Sequence, residues 1–315
     1  MTGSGTIADP YLVGNKAELK EAMETERSSG SPIYIKLTNT INLRWGTGWK
    51  KITTSAGTDP VDVDLDGYSI KNMYLKTGVF DLKNADKIHN GKIINLVTAS
   101  DFAEEYVFNG GVFENISANF TADVPVGAVF NNSQLIKTAL SLKYSTGTAD
   151  SVLNAIKLRA ASGQSDTNQI DESDIKIIIA EFDAPDGELI KPPASGTAYI
   201  KSSRITGEIT SFKNASATYY PIVSTATLKN CVVEFKVPTY SGSGSPTAAH
   251  NFVTGDTNDI SVVNTYNGIL PYNGNTPIYS LGSGCTGVTT NDIRSQYLLW
   301  PKFFEVYQIQ KAVSE

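Results

Sequence analysis

The chain has 315 residues, 40% of them hydrophobic and 18% charged, with a formal net charge of −6. The acidic balance argues against a sequence-independent grip on nucleic acid, which needs clustered Lys and Arg. The low charge leaves the surface to Ser, Thr, Asn and Gly, a texture of all-β shafts. No run approaches the 18 apolar residues of a membrane span.

Met1 to Gly5 shows neither a basic nor an apolar leader region, so an export signal is not expected. A β-shaft with no leader points to a removed leader or to assembly in the host cytoplasm, as for a virus particle. An extended entry, Thr6 to Leu12, leads to Asn15, a good N-cap with Glu18 at capping-box spacing. Leu19, Ala22 and Met23 then mark the apolar face of a helix ending near Gly30. It is expected to cap the apolar end of whatever follows.

Ile33–Leu37 and 40–43 read as the first strands, followed by Trp45 and Trp49. From Val61 short apolar phrases broken by Asn, Asp or Gly recur: Val61-Asp-Val-Asp-Leu-Asp-Gly67, Ile88-His-Asn-Gly91, Phe113-Glu-Asn-Ile116, Ser173-Asp-Ile175, Ser203-Arg-Ile205 and Leu228-Lys-Asn-Cys231. A short strand, a polar corner and another strand, repeated, is the signature of a solenoid. The residue after each corner, taken as Ile116, Ile136, Ile175, Ile205, Cys231 and Ile260, gives coils of about 20 to 30 residues, with the interval from Ile136 to Ile175 read as two coils. Two stretches read as loop excursions: the Pro/Gly-rich 183–196 and the Gly/Ser-rich tip 238–246. Beyond 266 the texture changes, with a capped helix expected over 290–299 and an apolar strand over 303–313. The expected organisation is therefore an entry and capping helix (1–30), an all-β parallel β-helix (31–266) and a C-terminal closing segment (267–315).

Asp9-Pro10-Tyr11-Leu12-Val13, the helix with Ala17-Glu18-Leu19, then Leu65-Asp-Gly67, Gly78-Val-Phe80 and Ile88 to Leu96 form a recognisable layout. It resembles the right-handed parallel β-helix proteins of phage virions and bacterial cell surfaces, including the group with GLUG-type repeats and a DPY helix-capped start. The family's Gly-Leu-Phe-Gly is reduced here to Gly78-Val79-Phe80 and Gly127-Ala-Val-Phe130. The resemblance implies a right-handed coil and a surface or virion role, and it brings no catalytic residues.

Candidate chemistry is sparse. Asp62-x-Asp64-x-Asp66-Gly67 opens like an EF-hand loop, but position twelve is Met73, so a strand with outward carboxylates is expected. Asp62, Asp64, Asp171, Glu172 and Asp174 are the carboxylates a polysaccharide-cutting enzyme would draw on, with solvated turn acids as the expected reading. The histidines are His89 and His250, and neither has metal-ligand spacing to another ligand. Cys231 reads as a buried thiol and Cys285 lies in a Gly-rich turn; a bridge between them stays open. Trp45, Trp49, Tyr219, Tyr220 and Tyr240 are the candidate surface or receptor contacts, against the commoner role of aromatics packed at coil junctions. Ile293, Leu298, Leu299, Trp300, Phe303 and Phe304 are the candidate assembly residues. The expected function is a non-enzymatic virion protein of a tailed phage (a fibre, spike or capsid appendage), with no cofactor and no metal. Its expected partners are copies of itself, a trimer being one form, other virion proteins and a host-surface glycan or protein. A bacterial surface adhesin and a polysaccharide-degrading enzyme are the alternatives.

Overall fold

A computed structural model describes residues 1–25, 31–54, 59–123, 127–145, 155–159, 168–180, 189–191 and 199–210, and beyond these the strand segments 227–229, 232–236, 250–251, 263–266, 272–273, 276–277, 279–280 and 286–288. The chain is nearly all β, and its strands form a parallel β-solenoid, with one helix among the described residues.

Three ladders of parallel strands run along the solenoid. The first stacks Tyr11–Val13, Ile33–Leu37, Val61–Asp64, residues 87–89, 112–114 and 134–136, Asn168–Asp171, Tyr199–Lys201 and Thr227–Lys229. The second begins at Ile41–Gly46 and Ser69–Leu75 and passes through 91–97 and 116–122. It continues through Ala139–Tyr144, Asp174–Ile179, Arg204–Ile209, Val232–Lys236 and Val263–Tyr266 to Thr286–Val288. That last strand carries the ladder beyond residue 266. The third stacks Ile52–Thr53, Phe80–Asp81, Tyr106–Asn109, 128–131, Ile156–Leu158 and Ile190–Lys191.

Period-two alternation explains why these segments stack. Val61 and Val63 point inward while Asp62 and Asp64 stay partly exposed. Register then lines the interior with like residues: Ile35, Val63, Ile88, Phe113, Leu135, Ile170 and Ile200 on the first ladder. On the third, Phe80, Phe108 and Phe130 stack in register, and the Phe108 and Phe130 rings lie 4.8 Å apart. All are buried.

The corners follow a rule of their own. Asn90, Asn115, Lys137, Glu172 and Ser202 hold the left-handed backbone, with φ between 47° and 58°, at equivalent places in successive coils. Asn tolerates that region better than most residues, whereas Lys and Glu there depend on the surrounding ladder. After the last three corners come Thr138, Ser173 and Ser203, all buried. Ser203 Oγ accepts from the Ser173 N–H, and Ser173 Oγ accepts from the Thr138 N–H, both at 3.1 Å. A hydroxyl column thus pairs backbone donors that the turn would leave buried and unmet.

Two expectations about coil length are corrected. Ile136 precedes its corner, whereas Ile116 and Ile175 follow theirs. The interval from Ile136 to Ile175 is a single coil, because Ala139–Tyr144 pairs directly with Asp174–Ile179. Within the expected loop 183–196, Ile190–Lys191 is a rung of the third ladder and Leu189 and Ile190 are core residues.

The helix spans Lys16–Glu24. Asn15 Oδ1 accepts from the Glu18 N–H at 3.1 Å, as an N-cap does. Glu18 Oε2 reaches back to the Gly14 N–H at 2.7 Å, one residue beyond the usual capping-box partner. Leu19, Ala22 and Met23 join the common core, and the helix packs against Tyr11–Val13, Ile33–Leu37 and Ile52–Thr53.

Candidate functional site

The outer face of the first ladder collects charge. Alternation puts Tyr34 and Lys36, Asp62 and Asp64, Lys87 and His89, and Glu114 on that face. Register sets Asp62 opposite Lys87 and Asp64 opposite His89, with Glu114 opposite His89 on the next coil. His89 Nε2 lies 2.6 Å from Asp62 Oδ1, and His89 Nδ1 lies 4.0 Å from Asp64 Oδ1. The hydrogen bond to Asp62 raises the His89 pKa above its usual value. The charges of Asp62 and Asp64 add to this, while burial and Lys87 oppose it.

Sequence spacing gave His89 no partner; the fold supplies two. Asp62 and His89 are 27 positions apart, and only the coil register brings them together. The remaining carboxylates of the EF-hand-like stretch also have protein partners. Asp64 Oδ1 accepts from the Asp66 N–H at 2.9 Å, and Asp66 pairs with Lys36 at 3.1 Å. Met73, at the place of the bidentate ligand, is fully buried. Among the described residues no group of three His, Cys, Asp or Glu side chains is arranged to hold a metal ion.

The raised His89 pKa sets a pH dependence. The folded state holds the His89 proton more tightly than the unfolded chain. The stabilisation is therefore complete below about pH 6.5 and lost as pH rises through the folded-state value. His89→Gln is expected to cost on the order of 1 kcal/mol at pH 6 and less at pH 9, for a half-buried charged hydrogen bond. Urea unfolding of both proteins at the two pH values measures this. An equal cost at both would show that the imidazolium adds nothing.

A second group sits at the corner of Asp171, Glu172 and Asp174. The expected solvated acids are corrected at Asp174, which is 3% exposed. Its nearest cation is Arg204, with Nη1 3.7 Å from Asp174 Oδ2. Burial pushes the Asp174 carboxyl up to about 6, against the opposing pull of Arg204 and Lys176. Glu172 lies at the left-handed corner, 3.9 Å from Lys137. Because the folded-state value is raised, charging Asp174 costs stability as pH climbs from about 4 to about 6. Asp174→Asn removes that cost. Relative to the parent, the variant is expected to gain on the order of 3 kcal/mol between pH 4 and pH 7. Unfolding midpoints measured across that range test it, and a constant difference would contradict it.

The aromatic candidates separate. Trp49 is 3% exposed, its Nε1–H donates to the Val79 carbonyl at 3.0 Å, and its ring meets Phe80 edge-on at 5.8 Å. It belongs to the core rather than to a surface contact, because its hydrogen bond and apolar body are both satisfied inside. Trp45 is 50% exposed. Tyr219, Tyr220 and Tyr240 lie outside the described residues, as do Ile293, Leu298, Leu299, Trp300, Phe303 and Phe304, together with Cys231 and Cys285. His250 falls in a short strand paired with Tyr279–Ser280.

Comparison with family models, with curated proteins and with solved structures finds no match.

Proposed function

We propose that this chain is a non-enzymatic structural protein of a tailed-phage virion, a fibre, spike or capsid appendage that contacts the host surface. The observation that supports it most is the second ladder, parallel from Ile41–Gly46 to Thr286–Val288. Such a ladder makes a stiff shaft whose inner face is apolar and whose outer face is a regular array of polar side chains. In this proposal the helix Lys16–Glu24 closes one end. The segment holding Ile293, Leu298, Leu299, Trp300, Phe303 and Phe304 joins copies of the chain, a trimer being the favoured form. Among the described residues no helix is long and apolar enough to cross a membrane. The particle surface is the proposed location, after assembly in the host cytoplasm. Density-gradient purification of the particles, followed by peptide mass spectrometry, tests the assignment. The chain is expected to band with the capsid proteins; recovery only in the soluble fraction would overturn it.

One observation favours a second reading, cleavage of a polysaccharide: Asp174 is a buried carboxyl held up to about 6, near the range of a general acid. Release of reducing ends from host-type polysaccharides, lost in Asp171→Asn and Asp174→Asn, would establish it over the structural reading.

A further inference from the structure

Trp45 is the exposed tryptophan among the described residues. Arg44 and Trp45 both hold the left-handed backbone, at φ 51° and 63°, in a bulge of Ile41–Gly46. The Arg44 N–H donates to Asn42 Oδ1 at 2.9 Å, which fixes the bulge from within. The facing strand places Asn72 opposite this bulge and carries Tyr74, 37% exposed. From Asn42 a row of carboxamides runs along the coils. Asn72 Nδ2 donates to Asn42 Oδ1 at 3.0 Å, and Asn95 Nδ2 donates to Asn72 Oδ1 at 2.9 Å. Two cations flank the row, Arg44 and Lys71, and neither side chain has an ion pair or hydrogen bond among the described residues. Elsewhere on the outer surface Lys36 is paired with Asp66 and Lys76 with Asp101.

We infer that this strip, Trp45 and Tyr74 with Asn42, Asn72, Arg44 and Lys71, binds an acidic oligosaccharide. The inference rests on the reading of the chain as a host-contacting surface protein and names the ligand of that contact. The aromatic faces suit the apolar C–H face of a sugar ring, with polar tips left in water. Asn72 spends one N–H and one lone pair on its neighbours and keeps one of each for a sugar hydroxyl, whereas Asn42, whose Oδ1 accepts from both Arg44 and Asn72, keeps its N–H donors. Arg44 offers a planar fork to a carboxylate. On a chain of net charge −6, two unmatched cations beside the aromatic pair set the local sign against the global one. The bulge also disfavours a protein strand as the occupant. Two consecutive left-handed residues and an Asn side chain on the Arg44 N–H break the straight edge that strand addition needs.

The test titrates the full chain with a panel of acidic oligosaccharides, hexuronate and sialic acid types, and with their methyl esters. At least one acid form is expected to bind more tightly than its ester. Trp45→Ala is expected to weaken it roughly tenfold while leaving the unfolding midpoint in place, and Trp45→Phe to retain most of it. Arg44→Gln is expected to erase the preference for the acid over the ester. No binding across the panel, equal binding of acid and ester, or a Trp45→Ala variant that binds like the parent would each overturn the proposal. The outcome is separable from the virion assignment. A chain found on the particle that binds none of the panel loses only this site, and a binding chain absent from the particle loses only the assignment.

Discussion

Replacing Phe108 with Ala is expected to lower the unfolding free energy by about 3 to 5 kcal/mol. Phe108 is buried on the third ladder, stacked on Phe130 at 4.8 Å and edge-on to Phe113 at 5.5 Å. Phe80 continues the column at 6.2 Å. The ring therefore joins two ladders and three coils at once. Its neighbours are held by backbone hydrogen bonds to the coils on either side, so they cannot collapse into the space that truncation leaves. A solenoid gains its stability from coil-to-coil interfaces, and this substitution weakens two of them together. Chemical denaturation followed by circular dichroism gives the value; a loss under about 1 kcal/mol would mean that the column is not packed as described.

Gly110→Ala is expected to cost about 3 kcal/mol or more, through two effects that a companion variant separates. Gly110 has φ 72°, where a side chain is strained by about 1 to 2 kcal/mol. A Cβ there would also lie 2.0 Å from the Leu82 carbonyl oxygen, so the neighbouring coil would have to shift. Gly67 has a similar φ of 79° but no atom within 4 Å of an added Cβ. Gly67→Ala is therefore expected to show the backbone strain alone, about 1 kcal/mol. The difference between the two reports how closely the coils approach at the Gly110 corner. Equal costs would contradict the close approach to Leu82.

Much of this architecture was legible in the residues. Val61-Asp-Val-Asp64 announces a strand with its acids outward, and Asn15 with Glu18 announces the helix start. The corners Asn90 and Asn115 mark the turns because Asn is a residue that left-handed backbone accepts. Lys137 and Glu172 carry no such mark, so the coil containing Ile136 was misplaced. Ile190–Lys191 is too short for alternation to register, and the flanking Pro and Gly masked it. The site residues were harder. His89 meets Asp62 because coil lengths vary and pairing, not spacing, sets the register. Asp174 alternates outward with Lys176, and nothing in that pattern foretells that one is covered and the other exposed. Trp45 and Trp49 stand in similar Gly-rich company; only the hydrogen bond to Val79 and the contact with Phe80 separate core from surface.

The most direct test of the central claim is electron microscopy of purified particles decorated with an antibody raised against residues 61–123. Label at one kind of particle surface appendage, in copies that follow that appendage's symmetry, is the result a virion shaft protein predicts. Intact particles that carry no label, with the antigen confined to the host cell or its envelope, would contradict it.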